Sequence, residues 1–264
     1  MTDSSRVLSA TDGAVTTITI NRPDRMNALD SRTLAALDDA FARAAADAEV
    51  RAVIVTGTGR AFSAGADVKE WASGDAGGTD APADGWVTLA HRLISRVYRL
   101  PKPVVAAVNG VAVGGGFDLA LACDFRIGAD TSRYGAVYVN IGFAPDAGGT
   151  FLLPRIVGMT RAKELIYTGR IIDAAEAAQI GVVSSVVPAS ELTAASRELA
   201  GRLAAGPSVA IGLAKENIQD HWNSTLESAL RNESRAGSIC GATADHAEGL
   251  RAVNEKRPPQ FTGR

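Results

Sequence analysis

Apolar and polar positions alternate along residues 14–20 (AVTTITI), which predicts a β-strand with one buried face. Residues 51–56 (RAVIVT) are almost continuously apolar, a pattern typical of a strand that is covered on both faces. Between these strands, apolar residues recur every three to four positions along residues 34–45, which predicts a helix capped by Asp30 or Ser31. A strand, a helix and a strand joined by short connections indicate an α/β fold.

The same patterns continue along the rest of the chain. A helix is predicted from Trp86 to Leu100, because apolar residues follow a helical period there and two prolines come directly after it. Residues 72–85 (ASGDAGGTDAPADG) have little apolar bulk and predict a mobile loop. Further strands are predicted at 104–108, 124–129 and 182–187, and further helices at 151–156, from 160 onward, and at 190–205, 207–231 and 242–256.

Three adjacent glycines, Gly114 to Gly116, follow the strand at 104–108 and open a helix. Glycine runs cost backbone entropy, so a folded protein keeps them where a side chain cannot be accommodated. The first N–H groups of a helix have no partner within it and lie at its positive end. This stretch therefore predicts a backbone site for an oxygen that carries negative charge. Neither GxGxxG nor a following Lys-Ser/Thr is present, so no nucleotide-binding motif is met.

The composition narrows the class of protein further. Apolar residues make up 46% of the 264 residues and charged residues 21%, with a net charge of −2, so no basic field favours nucleic acid. No run of 18 apolar residues and no signal-peptide pattern occur, so we expect no membrane partner. The two cysteines, Cys123 and Cys240, are consistent with a reducing cytoplasm, and the three scattered histidines predict no metal site.

Four motifs together resemble the crotonase (enoyl-CoA hydratase/isomerase) superfamily. They are NRPDRMNAL at 21–29, SAGAD at 63–67, GGGFD at 114–118 and PDAGG at 145–149, and the chain closes with EKRPPQF at 255–261. The resemblance implies an α/β fold, a repeated ββα superhelix in residues 1–200 with a helical trimerisation region in 201–264. It also implies an acyl-CoA thioester substrate, no cofactor beyond the coenzyme A moiety of that substrate, and a homotrimer or dimer of trimers.

Carried over position by position, the resemblance assigns the backbone N–H groups of Ala66 and Gly115 to an oxyanion hole for the thioester oxygen. The candidates for the coenzyme A phosphates are Arg25, Lys69 and, from a neighbouring subunit, Lys256. The alternative for each of them is a solvated surface charge. The remaining expected substrate contacts are Met26, Ala64, Asp67, Val68, Gly114, Tyr138 and Phe261, with a structural use expected for the Asp67 side chain.

The reaction depends on a few side chains. The two glutamates of the related hydratases correspond to Asp118 and Tyr138, so the sequence departs from that pair at both positions. Asp146 stands where hydratases usually have glycine, whereas several isomerising members have aspartate. The stretch NIGFAPDAGGTFLLPRIVG and the ending KRPPQFTGR resemble isomerases of the phenylacetate-pathway type. We therefore expect Asp146 to be the principal acid and base, and Tyr138 to be a pocket wall or a hydrogen-bond donor.

Other interpretations of these residues remain open at this level. Asp146 could cap a helix that begins at Ala147, and Asp118 could stabilise the first turn of its own helix rather than carry a second proton or orient the substrate. The protein could be a hydratase that uses Asp118, or a CoA-thioester-binding protein with little catalysis.

Overall fold

The computed structural model of the chain describes residues 6–68 and 85–264. In these residues the strands are β1 Val7–Asp12, β2 Val15–Ile20, β3 Ala52–Gly57, β4 Ala61–Ser63, β5 Val104–Val108, β6 Val111–Val113, β7 Phe125–Ala129, β8 Arg133–Gly135, β9 Ile172–Asp173 and β10 Ser185–Val187. They form two sheets. The first has the order β1-β2-β3-β5-β7-β10 and is parallel except for the β1–β2 pair, and the second has the order β4-β6-β8-β9.

Helices cover both sheets. In the described residues they are α1 Ser31–Ala46, α2 Trp86–Arg99, α3 Gly115–Ala122, α4 Gly149–Val157, α5 Met159–Thr168, α6 Ala174–Gln179, α7 Leu192–Ala204, α8 Ser208–His221, α9 Leu226–Gly241 and α10 Ala244–Glu255. Short 3-10 helices lie at Pro23–Arg25 and Val137–Ile141.

The architecture repeats a ββα unit. Each long strand of the first sheet (β3, β5, β7) is followed by a three-residue strand of the second sheet (β4, β6, β8), and a helix comes next along the described chain (α2, α3, α4). This confirms the expected α/β fold with repeated ββα units. Alternation in β3 sends Val53 and Val55 to one core and Ala52 and Ile54 to another, which α7 covers. Both faces of the sheet are therefore buried, as the apolar run predicted.

The structure corrects several expectations. The single helix expected at 207–231 is wrong, because α8 ends at His221 and a new helix starts after Thr225, whose Oγ1 accepts the Ser228 N–H at 3.2 Å. Asp30 is the cap of α1, accepting the Thr33 N–H at 2.7 Å. The strand expected at 182–187 is limited to β10. Lys69 and residues 72–84 of the expected loop lie outside the described residues, while Gly85 caps α2.

The helices after residue 200 attach to the sheet through two basic side chains. Arg51, just before β3, donates to the Ser208 Oγ at 2.9 Å and to the Phe261 carbonyl at 3.1 Å. Lys215 on α8 pairs with Asp124 at 2.7 Å between Nζ and Oδ2. Within residues 6–68 and 85–264, no helix is long and apolar enough to cross a membrane.

Candidate active site

The backbone N–H groups of Ala66 and Gly115 lie side by side, shortly after the ends of strands β4 and β6. Leu29 forms a parallel bridge with Ala66, in which its N–H donates to the Gly65 carbonyl at 2.7 Å and its carbonyl accepts the Asp67 N–H at 3.2 Å. This pairing directs the Ala66 N–H away from Leu29. Gly115 is the first residue of α3, so its N–H has no partner within the helix. No carbonyl in the described part of the chain accepts a hydrogen bond from either group.

Small residues are what allow these two segments to approach. Gly65 has a φ of +80°, and a Cβ there would lie 2.7 Å from the Val113 carbonyl oxygen and 3.2 Å from the Gly115 nitrogen. A Cβ on Gly116 would lie 2.6 Å from that of Ser63. The Ser63 hydroxyl is buried and donates to the Asn27 carbonyl at 2.8 Å. The glycines of SAGAD and GGGFD are therefore required for contact between the segments, which places Ala66 and Gly115 as neighbours.

A narrow apolar cavity opens beside Gly115. It has room for about one water molecule. Its walls come from the bridge residue before α1, from α1, α2 and α3, and from the turn before α4: Leu29, Leu34, Trp86, Ala90, Leu93, Ile94, Leu119 and Ala147. Every one of these wall side chains is apolar apart from the indole N–H of Trp86, so the surface beside Gly115 favours contact with a hydrocarbon group over a polar one.

Asp118 lies on the first turn of α3 and is completely buried. Its Oδ2 accepts the hydroxyl of Tyr138 at 2.5 Å. Burial raises the pKa of Asp118 to about 7, although the Tyr138 hydrogen bond and the Gly149 N–H act to lower it. The Gly149 N–H faces the carboxyl group, but Oδ1 has no partner of good hydrogen-bond geometry among the described residues.

Tyr138 is the donor of this pair. Burial raises its pKa above the ordinary value, and the neighbouring charge of Asp118 raises it further. A phenol in this state keeps its proton at neutral pH and acts on Asp118 only as a hydrogen-bond donor.

Asp146 lies in the turn before α4, next to the cavity-lining Ala147. Its two carboxylate oxygens are shielded from water and make no hydrogen bond of good geometry in the described residues. Burial raises the pKa of Asp146, although the N–H of Asp146 itself and the charge of His91 act to lower it. The helix starts at Gly149 with Gly148 as its cap and no side-chain capping bond, so the alternative that Asp146 caps the helix is wrong. The charge of Asp146 also raises the pKa of Asp118, so the two carboxyl groups are close enough to interact.

Two residues of this region were not singled out from the sequence. His91 on α2 places its Nε2 2.7 Å from the Asp146 carbonyl oxygen, so the ring donates to the turn that carries the carboxylate. Arg22 pairs with Asp67 at 3.0 Å and with Asp30 at 3.2 Å. His91 and Asp146 are 55 residues apart along the chain, and Arg22 and Asp67 are 45 apart. Neither pairing therefore has a local signal in the sequence.

The expected coenzyme A contacts fall into two groups. Met26 and Ala64 are joined by a 2.9 Å hydrogen bond from the Ala64 N–H to the Met26 carbonyl, which brings the 21–29 and 63–67 motifs together. Arg25 and Val68 are exposed beside them, Gly114 caps α3, and the Asp67 side chain is engaged by Arg22. Lys69 lies outside the described residues.

Lys256 and Phe261 lie elsewhere within a single chain. The Phe261 carbonyl contacts Arg51 at the beginning of β3, and the six residues of that strand rise about 20 Å before the chain turns toward Ala66. The Phe261 backbone therefore lies at the opposite end of β3 from the segment that leads to Ala66. Lys256 is exposed at the end of α10. The part of the chain described here holds no group of three or more His, Cys, Asp or Glu side chains suited to a metal ion.

By its repeated ββα units and paired N–H donors, the chain has the crotonase fold, and comparison with known proteins agrees. The family model for enoyl-CoA hydratase/isomerase matches residues 10–264. Short-chain-enoyl-CoA hydratase of Clostridium acetobutylicum is 39% identical over 254 residues, 96% of each chain. The 1,2-epoxyphenylacetyl-CoA isomerase of Escherichia coli is 35% identical over 258 residues, 98% of each chain. An enoyl-CoA hydratase structure from Bacillus anthracis superposes with a TM-score of 0.91 at 39% identity, covering 98% of this chain and 100% of that one.

The chain belongs to the enoyl-CoA hydratase/isomerase family of the crotonase superfamily. This confirms the resemblance drawn from the four motifs. Enzymes of the family act on acyl-CoA thioesters. The names of the relatives include hydratases and an isomerase, with hydratases more frequent, so they do not distinguish between the two reactions.

Proposed function

We propose that this enzyme shifts a double bond in an enoyl-CoA thioester by proton transfer through Asp146. The observation that carries the proposal is the state of that carboxylate: both oxygens are buried and free of any capping role, and the residue directly precedes Ala147, which lines the cavity beside Gly115. A carboxylate left without partners in a folded protein costs free energy, so its retention there favours a role in chemistry.

The proposed step needs only the groups of this site and the substrate. The Asp146 carboxylate removes a proton from a carbon next to the double bond, and the electron pair moves onto the thioester oxygen. The N–H groups of Ala66 and Gly115 hold the resulting enolate, a contribution of about 3–4 kcal/mol for a typical donor of this kind. The protonated Asp146 then returns the proton to a different carbon. No cofactor is consumed, and coenzyme A stays attached.

The raised pKa of Asp146 suits this cycle. Proton transfer is most efficient when the pKa of the acid and base lies near the working pH, and burial moves this carboxyl group in that direction. Asp118, with its pKa near 7 and its hydrogen bond from Tyr138, serves in this scheme to orient the substrate or as a second proton carrier.

Hydration is the second candidate reaction, and one observation favours it. Asp118 is a buried carboxyl group at a position where related hydratases hold their water, and relatives named as hydratases match most of the chain. In that reaction, Asp118 would activate water for addition across the double bond, with Tyr138 fixing the carboxyl group. The carboxylate of Asp146 would then have a minor part.

Incubation of enoyl-CoA thioesters in deuterated water separates the two reactions. For isomerisation, NMR and mass spectrometry should show a moved double bond without gain of water, and deuterium at the α or γ carbon only to the extent that the protonated Asp146 exchanges with solvent between the two transfers. Asp146→Asn should lower this rate at least 100-fold, whereas Asp118→Asn should weaken it less. Asp12→Asn, in which the replaced side chain is 80% exposed, serves as the matched control.

Rapid hydration of crotonyl-CoA that Asp146→Asn leaves untouched would overturn the proposal and favour the hydratase. Tight binding of acyl-CoA with no product from a panel of enoyl-, dienoyl- and ring-containing thioesters would instead identify a binding protein with little catalysis.

We also propose that the chain assembles as a trimer or a dimer of trimers through the region after residue 200. The support is a set of large apolar side chains left exposed on α9 and α10 of the single chain: Leu226, Leu230, Leu250 and Val253. Sedimentation equilibrium should give three or six times the mass of 27.3 kDa, and a monomer at micromolar concentration would contradict this assembly. In such an assembly, Lys256 and Phe261 would be free to serve a neighbouring subunit's site.

A further inference from the structure

We propose that Trp86 sets the length of the acyl group, so that the enzyme takes short-chain acyl thioesters and excludes long ones. This inference rests on the proposed binding of acyl-CoA at Ala66 and Gly115, but not on which reaction follows. Trp86 is the first residue of α2, is 7% exposed, and is the largest side chain that lines the cavity.

The indole ring lies directly against the oxyanion-hole residue. A Cβ built on Gly115 would be 3.5 Å from Cη2 of Trp86 and 3.6 Å from Cζ2, which is ordinary van der Waals contact. An acyl chain whose carbonyl oxygen points at the Gly115 N–H therefore meets the ring within its first few carbons. The ring, rather than a remote wall, limits how far that chain can extend.

A hydrogen bond fixes the orientation of the ring. Its Nε1–H donates to the Leu29 carbonyl at 2.7 Å in a buried position. The backbone of Leu29 also pairs with the segment that contains Ala66. The same residue therefore fixes the position of the indole ring relative to the N–H donors of the oxyanion hole. Swinging the ring aside would leave a buried N–H and a buried carbonyl without this bond, which is unfavourable.

The remaining walls cannot give way easily. Leu29 and Leu34 are 2% and 1% exposed, and Leu93 and Leu119 are as deeply buried in the main core. Protein cores are close-packed, so inserting extra methylene groups there forces strained rearrangements. Among the residues that the structure describes, the cavity walls offer no polar partner for a hydroxyl or carboxyl group far from the thioester, so the favoured substrate is short and apolar.

Isothermal titration calorimetry with saturated thioesters tests this without any turnover. Butanoyl-, octanoyl- and dodecanoyl-CoA are titrated into the wild type, Trp86→Ala, Trp86→Phe and Trp222→Ala. The wild type should bind butanoyl-CoA more tightly than dodecanoyl-CoA. Trp86→Ala should shift the ratio of the two dissociation constants at least tenfold toward the long chain, because each newly buried methylene tightens binding about fourfold. Trp86→Phe should give an intermediate ratio.

Trp222→Ala removes an indole that is 59% exposed at the end of α8 and should keep the wild-type ratio. An unchanged ratio in Trp86→Ala, or equal binding of all three thioesters by the wild type, would overturn the inference. Circular dichroism and thermal unfolding check that each variant is folded, and Trp86→Phe supplies the test if the alanine variant is not. If the chain-length preference shifts as expected but no double bond moves, only the isomerase proposal fails. If no acyl-CoA binds, both fail together.

Discussion

Burial of the Asp118 carboxyl group lowers the stability of the folded chain at neutral pH. Burial raises its pKa from 3.8 to about 7. Below pH 4 both the folded and the unfolded chain hold the proton. Between pH 4 and 7 the unfolded chain ionises while the folded chain keeps its proton, so the free energy of unfolding falls as pH rises. Above pH 7 the penalty is complete, at about 4 kcal/mol for three pKa units.

Asp118→Asn should remove this pH dependence, because an amide cannot ionise and its oxygen can still accept the Tyr138 hydroxyl. We expect the variant to be more stable than the wild type at pH 8 by up to about 4 kcal/mol, with little difference near pH 4. Urea unfolding at both pH values and one fixed protein concentration measures this. A constant stability difference at both pH values would show that Asp118 does not have a raised pKa.

Gly115 offers a matched pair of variants that separates its N–H from its lack of a side chain. Alanine keeps the N–H, and its Cβ would meet Trp86 at an ordinary 3.5 Å. Proline removes the N–H but is tolerated at the first position of a helix. We expect Gly115→Pro to lower kcat by about 10²–10³, the usual effect of losing one oxyanion donor. Gly115→Ala keeps the N–H but places a Cβ in the cavity beside Trp86, so it should weaken acyl-CoA binding more than it lowers kcat.

Steady-state kinetics with the thioester identified by the substrate panel, and calorimetric titration with butanoyl-CoA, measure the two effects. Equal kcat values for the proline and alanine variants would remove Gly115 from the oxyanion hole. Loss of acyl-CoA binding in Gly115→Pro alone would indicate that the N–H acts in binding rather than in the chemical step.

The first turn of α4 packs against the carboxyl group of Asp118 and helps to hold it in place. A Cβ on Gly149 would overlap Oδ1 of Asp118, and this is the helix whose N-terminus faces the carboxyl group. Gly149→Ala should therefore displace Asp118 and lower kcat at least tenfold, with some loss of stability from overpacking, about 1–3 kcal/mol. Gly201→Ala within α7 is the control, because a Cβ there meets nothing within 4 Å.

The control should be stabilised by up to about 1 kcal/mol, as expected for glycine in a helix interior. Activity assays and urea unfolding of both variants check the pair. Full activity in Gly149→Ala would show that the position of Asp118 does not depend on this helix start.

Helices and strands long enough to show a period of apolar residues were predictable from the sequence. Three-residue strands and helix boundaries set by a single cap were not. The run at 51–56 and the spacing in α1 carry enough residues to identify a buried strand and a helix. The three-residue strands β4, β6 and β8 are too short to show any period. The break between α8 and α9 depends on the Thr225 cap, which is hidden inside a continuous helical pattern.

The candidate site divides in the same way. Gly115 and Asp146 were identified because they belong to motifs that stay together along the chain. The contact of His91 with the Asp146 carbonyl, the pairing of Tyr138 with Asp118, and the Trp86 ring beside Gly115 exist only after folding. Such contacts join residues on different elements, so no local pattern in the sequence predicts them.

At the scale of the whole molecule, the helices after residue 200 are attached to the sheet by a buried ion pair. Lys215 Nζ lies 2.7 Å from Asp124 Oδ2, an oxygen that also accepts the Val104 N–H at 2.8 Å. The Lys215 side chain is 9% exposed and that of Asp124 is 20% exposed. Burial raises the pKa of Asp124, and the charge of Lys215 is the largest influence that lowers it.

Lys215→Met should leave Asp124 buried and unpaired, at a cost of about 3–5 kcal/mol. Without Lys215 the pKa of Asp124 rises further, so the folded chain holds its proton to a higher pH than the unfolded chain does. The deficit relative to the wild type should therefore be larger at pH 8 than at pH 5. Lys163→Met, which replaces an exposed lysine on α5, is the control and should change stability by less than about 0.5 kcal/mol.

Urea unfolding at the two pH values distinguishes a charge effect from a packing effect. Adding Asp124→Asn to Lys215→Met should recover part of the loss at pH 8, because the amide carries no charge to leave unpaired. A deficit that is the same at both pH values and unaffected by Asp124→Asn would mean that the methylene stem of Lys215, rather than its charge, joins α8 to the sheet. In that case the C-terminal helices are held by packing, as where Gly212 lies against the Pro101 carbonyl.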